Sequence, residues 1–131
     1  MEKSQGNTFW VICIKDNGKM VGHVFLSKEF NPDFLIYEIG YMLNPKYQGK
    51  GYATEACHRI LQYGFEDIKA HRIIATCDPG NIASWRLLER LNMRREAHFV
   101  KCLYLRKPTE NNPIGWRDEY FYAILNSEYR R

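Results

Sequence analysis

The feature that most constrains this chain is a stripe of apolar residues that runs from Ala53 to Ile68. These residues recur at intervals of three and four positions, which predicts a long amphipathic helix with one buried side. Just before the stripe, residues 35–43 read LIYEIGYML and predict a strand that ends at Asn44–Pro45. A strand followed directly by such a helix indicates a domain in which helices pack on a sheet.

The remaining segments predict further strands and a second helix. A hairpin turn is expected at Asp16–Lys19, a helix at 81–91 and a loop at 106–115. Further strands are expected at residues 8–15, 20–27, 72–77, 95–104 and 116–125. The order β-β-β-α-β-α-β-β predicts an α+β (α/β-type) domain with a mixed sheet, and residues 1–131 are expected to form this single domain.

Composition excludes several classes of function. The net charge of +4 is mild, and without a recognised motif an RNA-associated domain would rest on charge alone, so we expect no nucleic-acid partner. The chain shows no signal-peptide core and no apolar run long enough for a membrane span. The cysteines lie in apolar runs without a C-x-x-C pair and the histidines are scattered, which predicts a cytoplasmic protein with reduced cysteines and no metal site.

The turn between the third strand and the first helix predicts an anion site. A helix N-terminus leaves backbone N–H groups without partners and has a partial positive charge. Gly49 and Gly51 lack side chains, so the backbone can approach phosphate oxygens, while Ala53 keeps the next turn small and Lys50 adds a cation. Neither a dinucleotide fingerprint nor a Walker loop is present. A glycine-rich turn without a ligand would explain Gly-x-Gly alone equally well.

The pattern Gln48-x-x-Gly51-x-Ala53, which follows a strand and opens an amphipathic helix, resembles the acetyl-CoA signature of the GNAT superfamily. The segments Glu38–Tyr41 and Asn81-x-x-Ser84 resemble the branch that contains the ribosomal-protein N-terminal alanine acetyltransferases. The resemblance implies a sheet in which the third strand parts from the next parallel strand in a V. It also implies direct transfer of an acetyl group from acetyl-CoA to an amine, either a protein N-terminus or a small molecule.

The same resemblance implies which residues bind the acyl donor. Met42 and Leu43 would offer backbone to the pantetheine arm, and Asn81 would bond the pantetheine or the thioester end, besides capping the second helix. The pyrophosphate would be held by Gln48, Gly49, Lys50, Gly51, Tyr52, Ala53 and Thr54.

Two side chains are candidates for the proton transfers. Glu38 is the one acid within LIYEIGYML, and partial burial of a carboxylate raises its pKa toward that of a useful base. The alternative for Glu38 is a strand residue on a wet face or in an ion pair. Relatives often have a tyrosine acid where this chain has Leu88, which leaves Ser84 as a candidate, with Tyr120 and Tyr122 on the last strand as further candidates. The alternative for Ser84 is an ordinary helix-start serine.

Members of the family usually begin with a further strand and helices that this sequence does not show. We therefore expect a shortened N-terminal part and an exposed sheet edge at residues 8–15, which favours a homodimer. The absent elements and Leu88 also leave open a second function, a non-catalytic acyl-CoA-binding or interaction module of the same fold.

Overall fold

A computed structural model describes residues 3–4, 7–29, 31–106 and 114–129. The helices are α1 (Tyr52–Gln62), which continues in a wider π-helical turn (Tyr63–Asp67), and α2 (Ile82–Arg90). The strands are β1 (Lys3–Ser4), β2 (Asn7–Cys13), β3 (Met20–Glu29), β4 (Ile36–Leu43), β5 (Arg72–Cys77), β6 (Arg94–Leu105) and β7 (Gly115–Leu125). From β2 onward the predicted order of elements is confirmed.

The strands form one sheet in the order β1-β2-β3-β4-β5-β7-β6. All neighbouring pairs are antiparallel except β4 and β5, which run parallel. This parallel pairing joins only Ile36–Glu38 to Arg72–Ile74. Beyond Glu38, β4 stays paired with β3 as far as Leu43, while β5 stays paired with β7 as far as Cys77. The predicted V-shaped splay is thereby confirmed, and its apex lies at Glu38.

Both helices pack on the same face of the sheet. A Cβ built on Gly64 would lie 2.8 Å from Cδ1 of Ile73 and 3.3 Å from Cδ2 of Leu26, so the end of α1 spans β3 and β5. On the same face, the fully buried Tyr122 donates its hydroxyl hydrogen to Glu89 of α2 at 2.7 Å. The core therefore lies between this sheet face and the two helices. The glycine at position 64, which lies in the π-helical turn, allows the helix backbone to contact Ile73 and Leu26 closely.

The expected free edge at residues 8–15 is only partly correct. The first two residues of β2, Asn7 and Thr8, pair with β1, a two-residue strand too short to leave a pattern in the sequence. From Phe9 onward, β2 has a neighbour on the β3 side only, among the described residues. Phe9 and Val11 are 47% and 53% exposed there.

Some of the sequence expectations concern residues that lie outside the described ranges, or can be compared only within those ranges. The predicted loop at 106–115 falls largely on residues 107–113, which lie outside them, although Gly115 already belongs to β7. No helix within the described ranges is long and apolar enough to cross a membrane. In the same ranges no three His, Cys, Asp or Glu side chains group as metal ligands, and all four cysteines are free thiols.

Candidate functional site

The splay opens into a cleft of about 800 Å³ between the end of β4, the start of α1 and one side of α2. The cleft forms because β4 and β5 each keep one strand partner after they part, so neither strand end folds back to close the gap. Its lining combines glycines, polar side chains and a few apolar ones: Tyr41, Met42, Leu43, Gln48, Gly49, Gly51, Tyr52, Ala53, Thr54, Glu55, His58, Asn81, Ala83, Ser84, Leu87 and Arg90.

The start of α1 has the geometry of an anion site. Gly51 is its N-cap residue, and the helix has no side-chain cap. The first hydrogen bond of the helix runs from the Glu55 backbone N–H to the Gly51 carbonyl at 3.0 Å. The backbone N–H groups of residues 52–54 therefore have no acceptor within the helix. These N–H groups and the positive end of the helix dipole lie at the cleft.

The glycines of the turn give this site its shape. Gly49 and Gly51 have φ angles of +77° and +84°, a region that other residues adopt only with strain. A Cβ built on either glycine meets no protein atom within 4 Å. Side chains there would project into open space beside the free N–H groups, and their absence leaves room for a phosphate to reach the backbone.

The cation in the cleft is not the one that the sequence suggested. The Lys50 ammonium lies 5.7 Å from the centre of the Tyr47 ring, and Lys50 is not among the cleft-lining residues. Arg90 of α2 does line the cleft, and its Nη2 reaches Thr54 Oγ1 at 3.3 Å in the first turn of α1. No sequence pattern indicated Arg90, because its place depends on how α1 and α2 cross.

The start of α2 supplies the polar groups at the other end of the cleft. The Asn81 side chain accepts a hydrogen bond from the Ser84 N–H at 3.2 Å, so its predicted capping role is confirmed. Ser84 and Tyr41 both line the cleft. Burial raises the pKa of Tyr41, and it raises the pKa of Cys77 to about 11, while the Ser84 hydroxyl opposes both shifts. Tyr41 is a site residue that sequence reasoning missed, although it immediately precedes Met42.

The other candidate acid positions lie away from the cleft. Leu88 is 3% exposed and belongs to the core. The Tyr122 hydroxyl is held between Glu89 and Arg95, and the Arg95 guanidinium lies 3.7 Å from the centre of the Tyr120 ring. Among the described residues, Ser84 is therefore the predicted acid candidate that faces the cleft.

Glu38 lies at the apex of the V and not among the cleft-lining residues. It is the last β4 residue paired with β5, opposite Ile74. As the alternation of strand residues predicts, it shares a face with Gly40 and Met42, opposite Tyr41. Burial raises the pKa of the half-buried Glu38 carboxyl, with repulsion from Glu29 as the next cause. The Thr76 hydroxyl donates to Glu38 Oε2 at 3.3 Å and partly offsets the shift.

Comparisons with known proteins agree with this architecture. The family described as Acetyltransferase (GNAT) domain matches residues 1–94. An uncharacterised N-acetyltransferase of Bacillus subtilis (strain 168) is 46% identical over 118 residues, which are 90% of this chain and 64% of the relative. The crystal structure of a GNAT-family acetyltransferase from Bacillus anthracis superposes with a TM-score of 0.78 at 45% identity, covering 94% of this chain and 68% of that one.

More distant relatives have more specific names. A ribosomal-protein-S5-alanine acetyltransferase from Vibrio fischeri superposes with a TM-score of 0.81 at 26% identity, over 96% of this chain and 65% of that one. The [ribosomal protein uS5]-alanine N-acetyltransferase of Escherichia coli (strain K12) is 27% identical over 126 residues, 95% of this chain and 61% of the relative. The chain thus spans less than two thirds of the length of these curated relatives.

The buried position of Glu38 predicts a distinct dependence of stability on pH. Its folded-state pKa is raised, so the folded protein binds this proton more tightly, and ionisation costs stability as pH rises through the window between the ordinary and the raised pKa. Glu38→Gln removes that cost. Its free energy of unfolding, measured by urea titration, should therefore rise relative to wild type as the pH increases above the ordinary pKa of a glutamate.

Glu96→Gln is the matched control and should show the opposite sign. Its hydrogen bonds with Arg72, and after them Arg94, hold the pKa of Glu96 below its usual range. Glu96 thus contributes stability that is present above the ordinary pKa and is lost as pH falls through the folded-state pKa. This variant should be less stable than wild type at neutral pH, and the difference should shrink in acid. A Glu38→Gln difference that did not change with pH would contradict the assignment of a buried, destabilised carboxylate.

Proposed function

Because this chain belongs to the GNAT acetyltransferase family, we propose that it transfers an acetyl group from acetyl-CoA to a primary amine by direct attack. The observation that supports this most is the meeting of two features in one cleft. The glycine-lined start of α1 offers backbone N–H groups to an anion, and the gap between β4 and β5 leads from it along exposed strand backbone. A ligand with a pyrophosphate at one end and a flexible amide arm fits this combination.

The donor-binding residues follow from the same geometry. The free N–H groups of Tyr52, Ala53 and Thr54 would hold the pyrophosphate, beside Gln48 and the two turn glycines. Lys50, at the rim of the turn, would add long-range attraction rather than a contact. Arg90 joins this group as a second cation.

The thioester arm would occupy the gap between the strands. Met42 and Leu43 would offer backbone to the amides of the pantetheine arm, because β4 pairs with β3 alone at this point. The Asn81 side-chain oxygen is engaged as a helix cap, which leaves its NH2 group to donate to the arm or to the thioester end.

The chemistry requires a neutral amine and a departing sulfur. Glu38 would accept the proton of the amine, directly or through water, because its raised pKa makes it a stronger base than an exposed carboxylate. The amine nitrogen then bonds to the acetyl carbon and the carbon–sulfur bond breaks, with its electron pair left on the sulfur. Ser84, on the opposite side of the apex, would donate a hydrogen bond to that sulfur.

The acceptor is either a protein N-terminus or a small-molecule amine. Likeness to enzymes named for the alanine of ribosomal protein S5 supports the N-terminus. We further propose that residues 1–131 act as a single donor-binding domain in the cytoplasm, since the four thiols are unpaired, as in a reducing compartment.

A calorimetric titration with acetyl-CoA tests the binding step. Wild type should bind, and Gly51→Val should bind at least about tenfold more weakly, because a branched side chain would block the approach to the N–H groups and no L-residue adopts this φ without strain. Gly18→Val is the matched control, since Gly18 also has a positive φ of +68° and open space around it but lies in the β2–β3 turn. Unchanged affinity for Gly51→Val would place the site elsewhere, and no binding by wild type would overturn the proposal.

Thiol release with a panel of amines and peptides tests the catalytic step. Glu38→Gln should lower turnover by about 100-fold, the range of general-base catalysis, while acetyl-CoA affinity stays unchanged. Glu96→Gln, the same substitution on β6 away from the apex of the V, should keep its activity. If Glu38→Gln turned over as fast as wild type, Glu38 would be excluded as the base. Tight acetyl-CoA binding without turnover of any acceptor would favour the non-catalytic module.

A homodimer through the outer edge of β2 is the proposed assembly. Beyond Thr8 this edge has no strand partner among the described residues, and Phe9 and Val11 are exposed beside it. Light scattering should show a dimer that Val11→Lys weakens, because a lysine at a strand edge opposes pairing. A monomer at high wild-type concentration would contradict this assembly.

A further inference from the structure

Arg90 connects the two helices that border the cleft. It is the last residue of α2, and its Nη2 atom donates a hydrogen bond to Thr54 Oγ1 in the first turn of α1 at 3.3 Å. Both residues line the cleft. Thr54 is also one of the residues whose backbone N–H has no acceptor within α1. The Arg90 guanidinium therefore lies beside the free N–H groups that an anion would contact.

The protein does not neutralise the positive charge of Arg90. Among the described residues, no carboxylate forms an ion pair with it. Its hydrogen-bond partner, the Thr54 hydroxyl, is neutral. The arginines of the strands differ in this respect, since each pairs with a glutamate or an aspartate: Arg72, Arg94, Arg95 and Arg117. Arg90 thus keeps a full positive charge to offer to a ligand.

The start of α1 alone supplies too little charge for two phosphates. A helix N-terminus is equivalent to about half an elementary positive charge, whereas each phosphate of a diphosphate carries a negative charge. Glu55 adds a carboxylate to the cleft lining and opposes anion binding. A second phosphate therefore requires a cation, and a planar guanidinium can donate two parallel hydrogen bonds to one phosphate. Among the described residues that line the cleft, Arg90 is the one arginine or lysine.

We propose that Arg90 binds the second phosphate of the acyl donor and thereby makes the cleft selective for coenzyme A thioesters over thioesters with a single phosphate, such as those of 4′-phosphopantetheine on a carrier protein. This selectivity rests on the proposed binding of acetyl-CoA. The N–H groups of residues 52–54 hold the phosphate next to the pantetheine arm, and Arg90 exchanges the Thr54 hydroxyl for the adjacent phosphate. The exchange is favourable because a hydrogen bond between two charged groups is stronger than one to a neutral hydroxyl.

Calorimetric titration of Arg90→Gln with three ligands tests this selectivity. Acetyl-CoA and acetyl-dephospho-CoA both contain the diphosphate, whereas acetyl-4′-phosphopantetheine has a single phosphate and is measured by competition with acetyl-CoA. We expect Arg90→Gln to bind the first two ligands about tenfold more weakly than wild type, the effect of about one charge-assisted hydrogen bond. Its affinity for the third ligand should stay within about twofold of wild type.

Arg86→Gln is the matched control, because it removes the same charge from the same helix. Arg86 is exposed, lies 5.8 Å from the centre of the Trp85 ring and is not among the cleft-lining residues. The affinity of this variant for all three ligands should stay within about twofold of wild type. Equal weakening by Arg86→Gln would show a long-range effect of net charge and would overturn the role of Arg90. Urea titration of both variants checks that a lost affinity does not reflect lost folding.

The ligand series also separates the alternatives. A loss for acetyl-CoA but not for acetyl-dephospho-CoA would assign Arg90 to the 3′-phosphate, and an equal loss for all three ligands would assign it to the first phosphate. Either result would overturn the inference. Unchanged acetyl-CoA affinity in Arg90→Gln, with binding by wild type, would overturn this inference alone, whereas no binding of acetyl-CoA by wild type would overturn the proposed function as well.

Discussion

The parting of β4 from β5 after Glu38 is the constraint on which the rest of this molecule depends. It is sustained because each strand keeps another partner: β4 pairs with β3 to Leu43, and β5 pairs with β7 to Cys77. Gly22 allows β3 to lie close to the end of β4, because a Cβ at position 22 would overlap the Met42 carbonyl oxygen. The inner edge of β4 is left with backbone groups that require water or a ligand. A binding cleft is thus a consequence of the strand pairing.

The open start of α1, the candidate anion site, has a small cost in stability. A helix that starts at a glycine without a side-chain cap gives up roughly a few tenths of a kcal/mol relative to one capped by serine or aspartate. The N–H groups that a cap would have engaged are the groups that lie at the cleft. The helix is held instead by its buried side, where Leu61 and Phe65 are fully buried against the sheet. Packing away from the site therefore allows the N-terminus to stay open.

The two candidate proton-handling groups lie on opposite sides of the apex. Ser84 belongs to the helix-covered side and is positioned by α2, while Glu38 belongs to the other face of β4 and contacts Thr76 of β5. A thioester threaded through the gap would have a base approaching from one face and a hydrogen-bond donor from the other. This arrangement follows from strand alternation, which sends Glu38 and Tyr41 to opposite faces of one strand. It also explains why Glu38, the candidate base, is not among the residues that line the cleft.

Local patterns in the sequence were sufficient to predict the strands, the helices and the glycine turn before α1. The stripe from Ala53 to Ile68 predicted the helical extent, strand alternation predicted the face of Glu38, and Asn81 was predicted as a cap, because each depends on neighbours a few residues apart. The sequence also indicated the splay, but only through its resemblance to a family.

Contacts between distant segments were decided by the tertiary structure. These are the reach of Arg90 to Thr54 and the placement of Tyr41 and Ser84 in one cleft. Both depend on the angle and spacing at which strands and helices meet, which one sequence does not encode in any local period. The sequence alone therefore predicted a candidate anion site at the glycine turn, while the tertiary structure decided which polar side chains of β4 and α2 lie around it.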